Sequence, residues 1–150
     1  EVTESLSEDS RDLIIRDVFA GDKTPAPLTS AEFLAHAKRV LAADGLYVVN
    51  CGDAPDLKTA RREAATIASA FRHTAIIADP AMLKGRRYGN IIIAGSDVPF
   101  AEDASLPRTL LGGAMPAHLW EDAKVRSFGR GSQVIRDAET AGVTADKARP

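Results

Sequence analysis

The sequence has one cysteine, no long hydrophobic run and little net charge, and each of these shortages excludes a class of protein. Its single cysteine, Cys51, rules out an internal disulfide framework and is typical of a reducing compartment, so we expect a cytoplasmic protein. No apolar run approaches the roughly 18 residues that a membrane span requires, so we expect no membrane partner. The formal net charge of −2 gives no general attraction to nucleic acid, which we do not expect as a partner.

Two common signatures of cofactor sites are also missing. The histidines His36, His73 and His118 do not fall at the spacing of a metal-ligand motif, so we expect no metal site. The sequence contains no G-x-G-x-x-G, the glycine-rich turn that holds the pyrophosphate of a dinucleotide. The sequence therefore predicts no dinucleotide site of that kind.

The order of the apolar segments predicts an α/β fold. The unbroken run Leu13 to Ile15 is typical of a parallel strand that is covered on both faces. The connection between the third and fourth strands is too short for a parallel crossover, which predicts that these two strands are antiparallel neighbours. The predicted strands cover residues 13–15, 46–49, 73–78 and 90–95, and the predicted helices cover 29–44 and 55–71.

Local signals set the predicted helix ends. Thr29 is the predicted N-cap of the first helix, and Glu32 completes a capping box three residues later. Gly45 is expected to end that helix in the left-handed conformation. The charged residues of the second helix are interpreted as a solvated face: Lys58, Arg61, Arg62 and Glu63.

The last third of the chain carries weaker signals. We interpret residues 98–150 as a helical and partly flexible C-terminal extension, with short helices over 106–111 and 116–128. The segment from Asp137 to Pro150 has no aromatic residue and little apolar content, which predicts mobility.

Polar residues follow the first two predicted strands. Asp17 comes directly after the first apolar run, and Asn50 comes directly after the second. In open α/β sheets, ligands bind outside the carboxyl ends of the strands, which makes Asp17 a candidate site residue. Plain structural interpretations are open in this region as well: Asp17 can cap its loop, Asp22 can form a turn after a glycine, and Pro25 can stiffen the entry to a helix.

Four segments in this order resemble the polyamine aminopropyltransferases, that is, spermidine synthase and its bacterial relatives. They are the strand-end segment 12–17, the segment 24–28, the pair 32–33 and the segment 44–50. The resemblance implies a Rossmann-like sheet of the class I S-adenosylmethionine-dependent methyltransferase type, with helices on both faces and an antiparallel last strand pair. It further implies that residues 1–97 are the C-terminal half of such a domain, and that the chain is a fragment without most of the cofactor half.

The resemblance also implies an activity and a role for individual residues. The family transfers an aminopropyl group from decarboxylated S-adenosylmethionine, the co-substrate, to a small-molecule amine. By resemblance, Asp17 is the catalytic acid that removes a proton from the amine, and Asp22 and Asn50 bind the amine. Pro25 and Ala26 match the pair that contacts adenine. An exposed edge at the first strand leads us to expect a homo-oligomer.

Three departures from the family pattern leave other functions open. Ala20 stands where the family has a second acid, and the family's Pro-Thr-Tyr-Pro, whose tyrosine lies on the substrate, is here Pro80-Ala81-Met82-Leu83. Lys84, Arg86 and Arg87 follow, and three cations would repel a diamine. A methyltransferase on the same fold, or a non-catalytic spermidine synthase-like domain used in assembly, are the alternatives.

Overall fold

The computed structural model of the protein describes residues 2–21, 24–100 and 104–138. The strands are β1 Arg11–Arg16, β2 Leu41–Asp53, β3 His73–Ala78, β4 Gly89–Ser96 and β5 His118–Trp120. The helices are α1 Val2–Ser5, α2 Ala31–Val40, α3 Lys58–Ala70, α4 Pro80–Leu83, α5 Leu106–Gly112 and α6 Asp122–Gly129, and a 3₁₀ turn covers Ala26–Leu28. None of the helices in these ranges is long and apolar enough to cross a membrane.

The strands form one mixed sheet in the order β1-β2-β4-β3-β5. β1 and β2 are parallel, and the other neighbouring pairs are antiparallel. The predicted antiparallel pairing of the third and fourth strands is confirmed, because β3 and β4 pair along their whole shared length. The predicted α/β fold is confirmed as well.

One face of the sheet carries the core. Residues at alternate positions of β2 point to this face, and Tyr47, Val49 and Cys51 are all buried there. Ile91 and Ile93 of β4 lie beside them in register. The helices α2, α3 and α6 contribute the opposing apolar side chains of the same cluster: Leu34, Ala37, Leu57, Ala60, Ala64, Ile67, Val125 and Phe128.

The opposite face of the sheet is largely uncovered in the described residues. Leu13 and Ile15 are 48% and 61% exposed, so the prediction that β1 is covered on both faces was wrong for this part of the chain. The three longer helices all pack on the core face, where two helical layers had been expected. The apolar run therefore identified the strand correctly, but it did not show whether the described residues cover both faces of that strand.

The start of α2 and the end of that helix differ from the prediction. The N-cap is Ser30 rather than Thr29, and the Ser30 hydroxyl accepts a hydrogen bond from the Phe33 amide at 3.1 Å. Glu32 closes no capping box and instead accepts a hydrogen bond from the Asp137 amide. Gly45 lies inside β2, because the strand begins directly after the helix at Leu41.

The charged face predicted for α3 is solvated only in part, at Lys58 and Arg61. Glu63 is only 2% exposed and pairs with Arg16 of β1. Arg61 donates to the Phe128 carbonyl at 2.8 Å, and Arg62 donates to the Gln133 carbonyl at 3.3 Å. Glu63, Arg61 and Arg62 thus attach α3 to β1, to α6 and to the segment after α6, so part of this charge pattern marks internal contacts.

The C-terminal third adds a strand and a helix to the fold. β5 pairs with β3, so the helix predicted over 116–128 was wrong at 118–120, and α6 begins only at Asp122. α6 packs on α3 through Val125 and Phe128, which are both buried. The segment 139–150, to which most of the predicted mobile tail belongs, lies outside the described residues.

We predict that Gly95→Ala destabilises the fold. A β-carbon at Gly95 would lie 2.5 Å from Phe71 Cδ2 and 2.9 Å from Ile67 Cγ2, so α3 must shift away from β4. Overpacking of this kind lowers the free energy of unfolding by about 1–3 kcal/mol. Urea denaturation measures the change. Gly112→Ala is the control, because nothing lies within 4 Å of its added carbon, and a loss of stability no larger than in that control would contradict the prediction.

Candidate active site

The parallel pairing of β1 with β2 brings Asp17 and Asn50 together, although β2 itself continues to Asp53. Arg16 is in register with Val49, so the next residue of each strand meets at the carboxyl end of this parallel pair. The Asn50 side-chain amide donates a hydrogen bond from Nδ2 to Asp17 Oδ1 at 3.1 Å. Asp17 is exposed and Asn50 is half-buried. Two residues that are 33 positions apart in sequence thus form one polar cluster at the sheet edge.

The side-chain oxygens of Asn50 and Asp17 are placed differently in this cluster. Because Nδ2 donates to a carboxylate, Oδ1 points the other way, and this oxygen is buried without a hydrogen-bond partner among the described residues. Buried polar atoms normally have a partner. The Asp17 carboxylate is an acceptor that is open to solvent, which suits a ligand with N–H donors.

Two aromatic rings lie beside this cluster and were missed by the sequence analysis. Gly52 is on the same face of β2 as Asn50, and a β-carbon there would lie 2.9 Å from the Tyr88 hydroxyl oxygen and 3.5 Å from Phe19 Cε1. Both rings are exposed. The signal was a glycine two residues after Asn50, since glycine in a strand often marks a close approach of another group.

The 3₁₀ turn places Pro25 and Ala26 near the end of β1. Both are half-buried, and the Ala26 carbonyl accepts hydrogen bonds from the Thr29 hydroxyl and the Thr29 amide. Arg16 donates from Nη1 to the Leu28 carbonyl at 2.9 Å, which attaches the turn to the strand that ends at Asp17. Asp22, the second predicted amine-binding acid, lies outside the described residues.

Met82 does not occupy the place expected of a substrate-contacting residue. The segment Pro80–Leu83 forms α4, and the Asp79 carboxylate caps this helix by accepting from the Ala81 and Met82 amides. Met82 is completely buried and packs under Gly89. The position that carries a tyrosine in the family pattern therefore belongs to the core here.

One of the three basic residues near the site is paired. Arg87 Nη2 lies 3.2 Å from Asp79 Oδ2, so its charge is matched within the β3–β4 connection. The Arg87 side chain, together with the two backbone amides at the start of α4, lowers the pKa of Asp79. The repulsion that three cations would exert on an amine is reduced accordingly.

Cys51 lies next to Asn50 but faces the core. Burial raises the pKa of its thiol, and the carboxylates of Glu63 and Asp53 raise it further. The thiol stays protonated near neutral pH, so it is not an activated nucleophile. Among the residues that the structure describes, no group of histidine, cysteine and acidic side chains could hold a metal ion.

Comparisons with known proteins identify the fold. No protein-family model matches the chain, and no curated protein matches it. The solved structure of a probable spermidine synthase from Corynebacterium glutamicum matches 91% of this chain at 50% sequence identity, with a TM-score of 0.84. The chain spans 50% of the length of that relative. The matched 91% of this chain is therefore spermidine synthase-like in sequence and fold, which confirms the predicted resemblance.

Two further spermidine synthase structures align more distantly. The one from Thermotoga maritima is 15% identical with a TM-score of 0.49, and it covers 99% of this chain and 44% of its own. A spermidine synthase in complex with the transition state analogue AdoDATO is 14% identical with a TM-score of 0.46, over 99% of this chain and 43% of its own. Similarities at this level carry no argument about the site.

We predict that Arg87→Gln raises the pKa of Asp79 toward its ordinary value, because it removes the hydrogen bond that contributes most to lowering it. A carboxyl whose pKa is depressed in the folded state contributes stability that is lost as the pH falls through that folded pKa. Because the unfolded-state pKa is unchanged, the stability that this carboxyl contributes should be smaller in the variant, and its loss should be complete at a higher pH. Carboxyl ¹³C NMR against pH measures the pKa, and Arg86→Gln is the control. An Asp79 titration equal in both variants would refute the assignment.

Proposed function

We propose that this chain forms the amine-binding and catalytic part of an aminopropyltransferase of the spermidine synthase type. The observation that carries the proposal is the Asp17–Asn50 pair, in which a side-chain amide holds an exposed carboxylate at the carboxyl end of a parallel strand pair. The likeness over half of a probable spermidine synthase supports it. The sheet edge is also where α/β folds bind their ligands.

The proposed reaction needs a neutral amine. A primary amine is mostly protonated near neutral pH and cannot attack while it is an ammonium ion. Asp17 accepts one proton from the ammonium nitrogen, which frees the nitrogen lone pair. That nitrogen forms a bond to the aminopropyl carbon next to sulfur as the carbon–sulfur bond breaks, and the electron pair remains on sulfur. The products are the aminopropylated amine and methylthioadenosine.

The site fits the amine better than a generic anion or a metal. The exposed Asp17 carboxylate can accept N–H bonds from the ammonium group. The exposed rings of Phe19 and Tyr88 border the same part of β2, and aromatic faces attract cations. Because the positive charge of Arg87 is paired with Asp79, this arginine repels a positively charged amine less than a free arginine would.

The nucleoside of decarboxylated S-adenosylmethionine is assigned to the neighbouring turn. We propose that Pro25 and Ala26 contact adenine and that Asp22 binds the amine from the loop before them. The attachment of this turn to β1 through Arg16 supports the assignment of Pro25 and Ala26.

We also propose a cytoplasmic location, which the buried free thiol of Cys51 supports. We further propose a homo-oligomer, which the exposed side of β1 supports.

A non-catalytic spermidine synthase-like domain is the second candidate. It is favoured by the burial of Met82, because a residue in the core supplies no substrate contact. It is also favoured by Ala20, which replaces the second acid of the family pattern. Binding of methylthioadenosine without turnover would support this candidate, and product analysis with each sulfonium donor separates aminopropyl transfer from methyl transfer.

We predict that Asp17→Asn lowers kcat by about 10²–10⁴-fold, which is the usual contribution of a general base. Initial rates are measured on this chain joined to the other half of its Corynebacterium glutamicum relative. Asp12→Asn is the matched control, since Asp12 is an exposed acid of the same strand. Equal turnover in the two variants would remove Asp17 from the mechanism.

Tyr88→Leu is expected to weaken binding of the amine without changing the chemical step. Loss of an exposed cation–π contact costs about 0.5–1 kcal/mol, which corresponds to an increase of about twofold to fivefold in KM for the amine. Because Tyr88→Phe retains the ring, its KM should stay near that of the wild type. A KM that rises equally in both variants would contradict the role of the ring.

A further inference from the structure

A buried ion pair lies directly behind the proposed site. Arg16 is the residue before Asp17, and its side chain points to the core face of the sheet, whereas Asp17 is exposed. Arg16 pairs with Glu63 of α3, and both side chains are almost completely buried. The mechanism proposed above does not use this pair, so its presence beside the site needs a separate explanation.

The Arg16 guanidinium makes contacts in two directions. One nitrogen, Nη2, donates to Glu63 Oε2, and the other, Nη1, donates to the Leu28 carbonyl at 2.9 Å. The planar guanidinium is suited to this, because it holds donors in a fixed fork. A strand, a helix and the 3₁₀ turn thus meet at one side chain.

Glu63 is itself held in place by the anchoring of α3. Asp53, at the end of β2, accepts a hydrogen bond from the Ala60 amide at 2.7 Å, which fixes the start of the helix against the strand. Glu63 follows less than one turn later and reaches the guanidinium. The carboxylate therefore sets where the guanidinium lies, and the guanidinium sets where the Leu28 carbonyl lies.

We infer that Arg16 is a positioning residue that, oriented by Glu63, holds the Pro25–Thr29 turn at the nucleoside side of the Asp17 site. The inference deepens the proposed function, because Pro25 and Ala26 are the residues assigned to adenine. A charge pair retained for stability alone has no need to reach the turn, and apolar residues of similar size can replace such pairs without loss of stability.

The test separates positioning from stability with the double variant R16M/E63M. Removal of both charges leaves no buried unpaired charge, so the chain should fold with an unfolding midpoint near that of the wild type. Hydrogen exchange is measured at the Leu28 and Thr29 amides, which donate within the turn to the Pro25 and Ala26 carbonyls. We expect at least tenfold faster exchange there, with the Leu34 amide of α2 unchanged as the reference for global stability.

Ligand binding provides the second readout, on this chain joined to the other half of its Corynebacterium glutamicum relative. In R16M/E63M the affinity for methylthioadenosine should fall about tenfold to a hundredfold, because a segment that contacts the ligand is misplaced. The affinity for 1,4-diaminobutane should change little. R126M is the control for lost stability, since Arg126 similarly holds the Ala68, Phe71 and Arg72 carbonyls but lies away from the turn.

A second variant covers the case in which the double variant does not fold. R16K keeps a positive charge opposite Glu63 but lacks the fork that reaches Leu28, so exchange at Leu28 and Thr29 should rise in R16K too. Wild-type exchange and wild-type nucleoside affinity in a folded variant would overturn the inference. If the wild-type protein binds no methylthioadenosine, the proposed function fails, whereas exchange at Leu28 and Thr29 still decides the role of Arg16.

Discussion

The parallel pairing of β1 with β2 is the constraint on which the rest of the structure depends. Its register places Asp17 beside Asn50 and lets the amide of one hold the carboxylate of the other. Because side chains alternate along a strand, the same register turns Arg16 to the core while Asp17 stays in solvent. A shift by one residue would exchange these positions, burying the proposed base and exposing the charge that holds the neighbouring turn.

The sequence indicated the parts of the fold that depend on chain length and on strand ends. The connection between β3 and β4 is too short for a crossover, so its antiparallel geometry followed from length alone. Asp17 was a candidate because it follows the first strand, Asn50 was assigned by the family resemblance, and the structure places the two in hydrogen-bond contact. These predictions needed no knowledge of side-chain packing, which is why they could be made.

The features that were missed depend on partners distant in sequence. Glu63 lies in a helical charge pattern that is typical of a solvated face, and only Arg16 on another element makes it a buried group. Gly45 has the signal of a helix end, but the pairing of β2 draws it into a strand. Tyr88 reaches the site through the β2–β4 register, which no local pattern encodes.

The account rests on a cation-binding cluster at Asp17 and Asn50, and NMR of the Asn50 side-chain amide tests it most directly. The chain joined to the other half of its Corynebacterium glutamicum relative is titrated with 1,4-diaminobutane, and Gln133, on the far side of α3, serves as the internal reference. The account predicts a saturable shift of the Asn50 amide resonances while those of Gln133 stay fixed. Saturable amine binding that leaves the Asn50 resonances unmoved would contradict it.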